Sequence, residues 1–333
     1  MIAIAMGGPG VVTRILGPSR GGYLTYAALE TESATAPGQL SASELKQVYR
    51  FENIDRQTGI FGLIGLPISH SFSPHMHNAA FAAAPTNAVY LPFEVRDVNA
   101  FLRRMVHPRT REFSWNLRGL SVTAPHKSAV MDCLDWIEPT ALEIGAVNTI
   151  LVDNDKLHGY NTDALGFIKP LQAELGDLRG ARCAVIGAGG SASAALFSLK
   201  SAGAAATIFS RDPAKASVLG ERFGVGTMML EGASFAGFDV VVNATPAGTL
   251  GPLVNETPAS AFQLRGARLA FDLVYNPSVT VFLREATEAG CETLGGLAML
   301  VGQAEEQFKL WLGQTPREGV MNEAAQQRLS ITI

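Results

Sequence analysis

The chain has 333 residues, which at ~150 residues per domain points to two domains with room for a third piece. Charged residues make up 17% and apolar residues 47%, which excludes a disordered, tail-like protein. A net charge of -4 gives no basic footprint for nucleic acid, so a small molecule is the expected partner.

A core of this size needs no disulfide or metal to hold it together. The three cysteines, Cys133, Cys183 and Cys291, stand far apart with no CxxC pair. That argues against a disulfide framework or a zinc ribbon and suits a reducing cytoplasm. The opening MIAIAMGGPG has a short apolar run and no positive charge, so it does not read as a signal peptide. No stretch approaches the ~18 apolar residues of a membrane span, and a soluble protein without a membrane partner is expected.

Candidate strands, in chain order, are 2–6 (IAIAM), 61–65 (FGLIG), 88–95 (AVYLPFEV), 119–123 (GLSVT) and 146–152 (AVNTILV). They continue at 183–188 (CAVIGA), 206–210 (ATIFS), 240–245 (VVVNAT) and 269–274 (LAFDLV). Helical spacing fills 190–202, 213–223, 278–289 and 297–312, while 31–46 and 52–59 read as loop or linker. Strands alternating with helices across glycine turns predict an α/β protein built on parallel sheets.

Residues 183–202, CAVIGAGGSASAALFSLKSA, place a strand before Gly187, Gly189 and Ala192 and a small-residue helix after them. The first glycine allows a tight turn, the second lets backbone approach a pyrophosphate, and the small third residue packs helix on strand. The helix N-terminus then offers N–H groups to the phosphates. An NAD site wants an acid at the end of the next strand, to hold the ribose hydroxyl. Here that strand ends Ser210-Arg211-Asp212, with Lys215 following. Arg211 suits a 2′-phosphate through bidentate bonds, and Lys215 adds a point charge, so NADP is favoured. Asp212 keeps an NAD reading open, and Arg211 and Lys215 also read as ordinary solvated charges.

Outside the glycine loop lie three polar clusters. GLPISHSFSPHMHNAAF (65–81) carries Ser71 and Ser73, whose hydroxyls suit a carboxylate or polyhydroxylated ligand. SVTAPHK (121–127) ends a strand and places Thr123 and Lys127 on one loop. GAVNTI (145–150) and GYNTDALGF (159–167) supply Asn148, Asn161, Thr162 and Asp163. His70, His75 and His77 have no acidic or thiol ligand beside them, so capping or helix-surface roles are expected and no metal. Lys127 and Asp163 suit carbonyl reduction, in which a lysine oriented by a carboxylate supplies a proton to the developing alkoxide. The same pair also reads as a structural salt bridge or as two unrelated charges.

Taken in order, PISHSFSP, SVTAPHK, IGAVNTI, GYNTDALGF, GAGGSA, FSRDPAK, NATPAG, DLVYNPSVT and GGLAMLVGQAEEQF make residues 61–312 resemble the shikimate dehydrogenase family. The resemblance implies metal-free, NADPH-linked reduction of 3-dehydroshikimate to shikimate, with Lys127 and Asp163 catalytic. It places the substrate carboxylate on Ser71 and Ser73, and its hydroxyls on Thr123, Asn148 and Gln303, with Tyr275 also in the site. It places the cofactor on Gly187, Ala188, Gly189, Gly190, Ser191, Ala192, Ser210, Arg211, Lys215, Asn243 and Thr245, with Leu273, Gly296 and Met299 completing that side. Ser121 and Ser210 stand where the family usually has Asn, and Ala298 where it often has an acid.

The first fifty residues differ: IAIAMGGPGVVTRIL and SATAPGQL resemble the C-terminal end of type I 3-dehydroquinate dehydratase, an eight-stranded βα barrel. Arg14 and Gln39 match substrate positions there, and Thr35 replaces the usual serine. A barrel needs eight βα units and this segment holds two at most, while the family's Schiff-base lysine has no counterpart. The expectation is the tail of a fused dehydratase–dehydrogenase, a partial barrel remnant inactive by itself.

The expected organisation is therefore 1–56 as remnant and linker, 57–163 plus 294–333 as substrate domain, and 164–293 as an inserted NADP-binding Rossmann-like domain, with the site in the cleft between domains. Its bearer is expected to be a monomer or homodimer. An NAD(P)-linked quinate/shikimate dehydrogenase and a non-catalytic shikimate- or dinucleotide-binding regulator remain as alternatives.

Overall fold

The computed structural model describes residues 4–29 and 34–331. It resolves into two compact units, one made of residues up to Leu142 with Val147–Tyr160 and Gln307–Ala325, the other of Glu143–Ala146, Asn161–Glu306 and the residues from Gln326.

In the first unit six strands, β1 (Gly59–Gly65), β2 (Ala88–Glu94), β3 (Leu117–Val122), β4 (Trp136–Ile137), β5 (Thr149–Asp153) and β6 (Lys156–Tyr160), form one sheet in the order β2-β1-β3-β5-β6-β4. The β1 run GIFGLIG is buried at every position, as a strand covered on both faces must be, and it pairs parallel to β2 and β3. The order then turns antiparallel through β5 and β6, joined by Asn154 and Asp155 at φ 46° and 62°. A two-residue turn with both φ positive matches the twist of a hairpin, and Asn and Asp tolerate that region. Phe61 packs against Phe81 and against Trp311, each with ring centroids 5.1 Å apart. Between β1 and β3 the register slips by one, so that Ile60 faces Leu117 and Phe61 faces Gly119, leaving Arg118 without an opposite residue.

The second unit carries β7 (Arg182–Ile186), β8 (Ala205–Ser210), β9 (Gly226–Met229), β10 (Val240–Asn243), β11 (Leu269–Asp272) and β12 (Glu292–Leu294), all parallel, in the order β12-β11-β10-β7-β8-β9. Numbered from β7 this is 3-2-1-4-5-6, the doubly wound Rossmann order. The helices Gly190–Ser201, Pro213–Phe223 and Val281–Glu288 alternate with its strands. The fully buried runs VVVN and LAFD form its centre.

Several sequence expectations need correction. Residues 2 and 3 of the expected strand 2–6 lie outside the described residues, and Ile4–Met6 form no strand. Among the described residues up to Asn53 the only ladder contact is the bridge between Ala28 and Ser41, because a strand without a neighbour has nowhere to place its backbone hydrogen bonds. The expected loop 31–46 contains most of a helix, Ala42–Gln47, whose first turn is capped by the Ser41 hydroxyl accepting from the Glu44 N–H at 3.1 Å. Ile15, Leu16, Leu45 and Tyr49 of this segment join the core of the first unit. Strands β4, β6, β9 and β12 were not anticipated by the sequence pattern; β9 (GTMM) is exposed along its whole length and shows no alternation of buried and exposed positions.

Gly119 sits directly beneath the indole of Trp311, where a Cβ would collide with the ring. Gly119→Ala is expected to destabilise the protein by roughly 1–3 kcal/mol through overpacking, read as a lower urea midpoint.

Candidate active site

In the first unit the polar motifs converge at the carboxyl ends of β1 and β3, where open α/β sheets hold their ligands. The loop after β1 carries Ser71, and Ser73 opens the helix Ser73–Ala83; the Ser71 hydroxyl donates to that of Ser73 at 3.2 Å and accepts from the Ser73 N–H at 3.2 Å. The loop after β3 carries Thr123, whose N–H donates to Ile64 at 2.9 Å, and its Ala124 carbonyl accepts from the Leu66 N–H at 3.1 Å. Lys127 on the same loop accepts through its carbonyl from the Val147 N–H at 2.8 Å. The Asn148 carbonyl in turn takes the Val122 N–H at 2.7 Å. Backbone bonds thus bring the segments bearing Ser71, Ser73, Thr123, Lys127 and Asn148 to one end of the sheet.

Behind Asn148 runs a buried chain of hydrogen bonds that the sequence did not disclose. The Thr149 hydroxyl donates to Asn148 Oδ1 at 2.7 Å and accepts from Gln307 Nε2 at 3.1 Å. Gln307 Oε1 accepts from Ser121 at 2.7 Å, and the Ser121 hydroxyl accepts from Tyr90 at 2.7 Å. With its oxygen bound to Thr149, the Asn148 carboxamide is fixed with its amino group turned the other way. The ring of Tyr90 stacks on His77 at 4.4 Å and 12°. His77 is fully buried, which corrects the expected capping or surface role; burial pushes its imidazole down to about 3, so it stays neutral. His75 is half-buried and His70 exposed, and no metal-binding group of three His, Cys, Asp or Glu occurs among the described residues.

In the second unit Asp163 opens the helix Asp163–Leu175 and is itself buried. The preceding Asn161 anchors that start by donating to the Ala146 carbonyl at 2.8 Å. A Cβ on Gly166 of this helix would lie 2.8 Å from the Met299 carbonyl and 2.9 Å from Gln303, so a bare backbone lets the two helices approach. Asp163, Met299 and Gln303 therefore belong to one helix pair, with Gln303 also donating to the Leu300 carbonyl at 2.9 Å. Gly296 reaches the loop holding Leu273 and Tyr275 through its N–H to the Val274 carbonyl at 3.3 Å.

The glycine loop fits a dinucleotide. Gly187 has φ +118° and lies so close to the Ala244 carbonyl that a Cβ would stand 3.0 Å away. A Cβ on Gly189 would meet nothing within 4 Å, which leaves open space where a pyrophosphate would approach. Gly189 also caps the helix Gly190–Ser201 without any side-chain bond to its first N–H groups, and Ala192 is fully buried against the sheet. Ala188 and Ser191 are half-buried in this turn. Past β8, the Ser210 hydroxyl accepts from the Asp212 N–H at 3.0 Å. Asp212 is occupied: it caps the next helix from the Lys215 N–H at 3.1 Å and pairs with Lys215 Nζ at 3.3 Å. Arg211 is exposed and makes no ion pair among the described residues, so its guanidinium could take paired bonds from an anion such as a 2′-phosphate.

Asn243 is wholly buried and its side chain is spent internally, donating to Ala247 and Asp272 and accepting from the N–H and hydroxyl of Thr245. It shapes the loop after β10 that stands against Gly187. In the N-terminal segment, Gln39 accepts from the Thr35 N–H at 2.8 Å and hydroxyl at 3.1 Å, while Arg14 is buried with its Nε unpartnered.

A glycine loop at the point where a parallel sheet reverses its winding defines a dinucleotide-binding α/β protein. Residues 63–150 match the shikimate dehydrogenase substrate binding domain, 296–326 the shikimate 5'-dehydrogenase C-terminal domain, and 1–56 type I 3-dehydroquinase. A shikimate dehydrogenase (NADP(+)) of Desulforamulus reducens is 42% identical over 282 residues, covering 80% of this chain and 94% of its own length. The crystal structure of the Thermus thermophilus shikimate 5-dehydrogenase in complex with NADP(H) and shikimate superposes with a TM-score of 0.70 at 36% identity, over 81% of this chain and 100% of that one. The bifunctional 3-dehydroquinate dehydratase/shikimate dehydrogenase of Arabidopsis thaliana is 38% identical over 95% of this chain, which spans 54% of that relative's length. The chain belongs to the shikimate dehydrogenase family.

Asp272 lies beneath this loop. Burial raises its carboxyl to about 6, against the lowering effect of bonds from Thr280, Val274 and Asn243. Because the folded value exceeds the unfolded one near 4, its contribution to stability is full below about pH 4 and is lost as pH rises through 6. The loss is on the order of 2–3 kcal/mol. Asp272→Asn is expected to flatten the difference in urea stability between about pH 4 and pH 7, since a neutral amide has no charge to bury.

Proposed function

We propose that the chain catalyses the reversible, NADPH-linked reduction of 3-dehydroshikimate to shikimate, a step of chorismate and aromatic amino-acid biosynthesis. The observation that carries this reading is the gathering of the Ser71, Ser73, Thr123, Lys127 and Asn148 segments at one end of a sheet, in a chain of this family. Residues 57–163 and 294–333 serve the substrate and 164–293 the dinucleotide. Its free thiols support a reducing, cytoplasmic setting.

Ser71 and Ser73 hold the substrate carboxylate as neutral donors, orienting the ring without burying a counter-charge. Thr123, Asn148 and Gln303 bind ring hydroxyls, with Tyr275 beside them. The dinucleotide, held by the 187–192 loop, Arg211 and Lys215, supplies a hydride when bound. Lys127 holds a proton at the substrate oxygen and releases it as negative charge develops there, and Asp163 keeps the ammonium oriented. In the reverse direction the neutral amine recovers that proton from the hydroxyl. Leu273, Gly296 and Met299 line the nicotinamide side and exclude water. With Asp212 committed to its helix cap, Arg211 sets the preference for a phosphorylated ribose.

Purified protein is expected to reduce NADP with shikimate, followed by nicotinamide absorbance, and to turn over quinate and NAD much more slowly. Comparable rates with quinate would shift the assignment to a quinate/shikimate dehydrogenase. Lys127→Ala should lower kcat by roughly 10²–10⁴-fold while the Kd for NADPH is unchanged. Arg211→Gln should raise the KM for NADPH about tenfold or more and leave that for NADH unaltered, because only one charge-assisted contact is removed.

A further inference from the structure

Away from these loops, the first unit contains two adjoining cavities that the proposed reaction leaves unused. One, of about 780 Å³, is lined by Arg20, Arg56 and Arg118 together with Asp55. The other, of about 570 Å³, is walled by Phe93, Phe101, Phe113 and Trp115. Arg20 and Trp115 belong to both. Neither is lined by Ser71, Ser73, Thr123, Lys127 or Asn148.

The aromatic walls are already in contact with one another. Phe93 meets Phe101 at 5.7 Å and the edge of Trp115 at 5.7 Å, and Phe113 meets Trp115 at 5.2 Å. Trp115 is fixed by its indole N–H donating to the Met105 carbonyl at 2.8 Å. The Arg20 guanidinium stands over the Phe113 ring at 5.6 Å and is braced by the Ser114 carbonyl at 2.6 Å. Arg118 is the residue left over by the register slip between β1 and β3, a device by which a sheet redirects a side chain.

None of the three arginines makes an ion pair among the described residues. Asp55, the acid in their cavity, is instead bound by the Gln57 and Thr58 N–H groups, the Thr58 hydroxyl and Asn87. Those hydrogen bonds hold its carboxyl below the ordinary range, so it stays ionised and one negative charge faces three positive ones. Glu94 and Asp97 line the aromatic cavity together with Arg96 and Arg20, so its charges balance, and Asp97 caps a short helix through the Ala100 N–H. An anionic group is therefore drawn to the arginine end, where positive charge is in excess, while a ring gains most at the aromatic end.

We propose that the joined cavities bind a small carboxylic acid bearing an aromatic ring, with the ring against Trp115 and Phe113 and the carboxylate on Arg20 and Arg118. Guanidiniums recognise carboxylates through paired N–H donors, and Arg20 is preorganised by its stacking.

Calorimetric titration of the full chain with 3-phenylpropionate and its neutral amide tests this. The acid should bind saturably and the amide about tenfold more weakly, as removal of a charge-assisted contact implies. Arg20→Gln and Arg118→Gln should each weaken the acid about five- to tenfold without changing the amide, and Phe113→Ser should weaken both. The double variant Ser71→Ala/Ser73→Ala should bind the acid as the parent does, which separates this site from the proposed substrate site. NADPH titration of each variant verifies that it is folded. Equal affinity for acid and amide, no saturable binding, unaltered binding in both arginine variants, or loss of binding in the serine variant would each overturn the proposal.

Discussion

The constraint on which the molecule rests is that its central strands are buried on both faces. A strand such as GIFGLIG or VVVN has no side from which a polar group can reach solvent. Chemistry is therefore confined to the strand ends, where the chain must turn and backbone groups are unpaired. Ser71, Thr123 and Lys127 follow β1 and β3, and Gly187, Arg211 and Asn243 lie at the ends of β7, β8 and β10. The positions of the candidate site residues follow from where burial stops.

Each of these ends is stiffened from below by buried polar groups. Asn243 and Asp272 support the loops after β10 and β11, while Thr149 and Gln307 support Asn148. Buried polar groups are tolerated because their bonding capacity is largely filled, and the cost of an orphaned partner keeps each geometry single. Helix packing adds a second kind of precision. Gly166 permits the close approach that sets Asp163 on the same scaffold as Met299 and Gln303.

Much of this was legible in the sequence because apolar runs and glycine turns are local signals. CAVIGAGGSA declares strand, turn and helix within ten residues, and the structure gives that arrangement. What escaped was whatever lacked a local signal. The helix Ala42–Gln47 hides in polar sequence and is announced only by its Ser41 cap. Strand β6 is short and polar at its start, and its signal was the Asn154-Asp155 pair that closes the hairpin. His77 looked like a polar helix residue because nothing nearby in sequence reveals the ring of Tyr90. The chain behind Asn148 joins residues 90, 121, 149 and 307, and no periodicity connects positions that distant.

That chain also has a polarity. From Tyr90 to Ser121 to Gln307 Oε1 each bond points the same way, and Gln307 Nε2 passes the sense on to Thr149 and Asn148. Reversing one hydroxyl would force two donors or two acceptors to face each other, so the chain behaves as a unit with a single permitted direction. Position 121 must accept on one side and donate on the other. A serine hydroxyl does both with one atom, and an asparagine does both with its oxygen and its amino group. The Ser121 hydroxyl is thus one part of a one-way relay, and alanine, which can neither accept nor donate, would leave two buried groups orphaned at once.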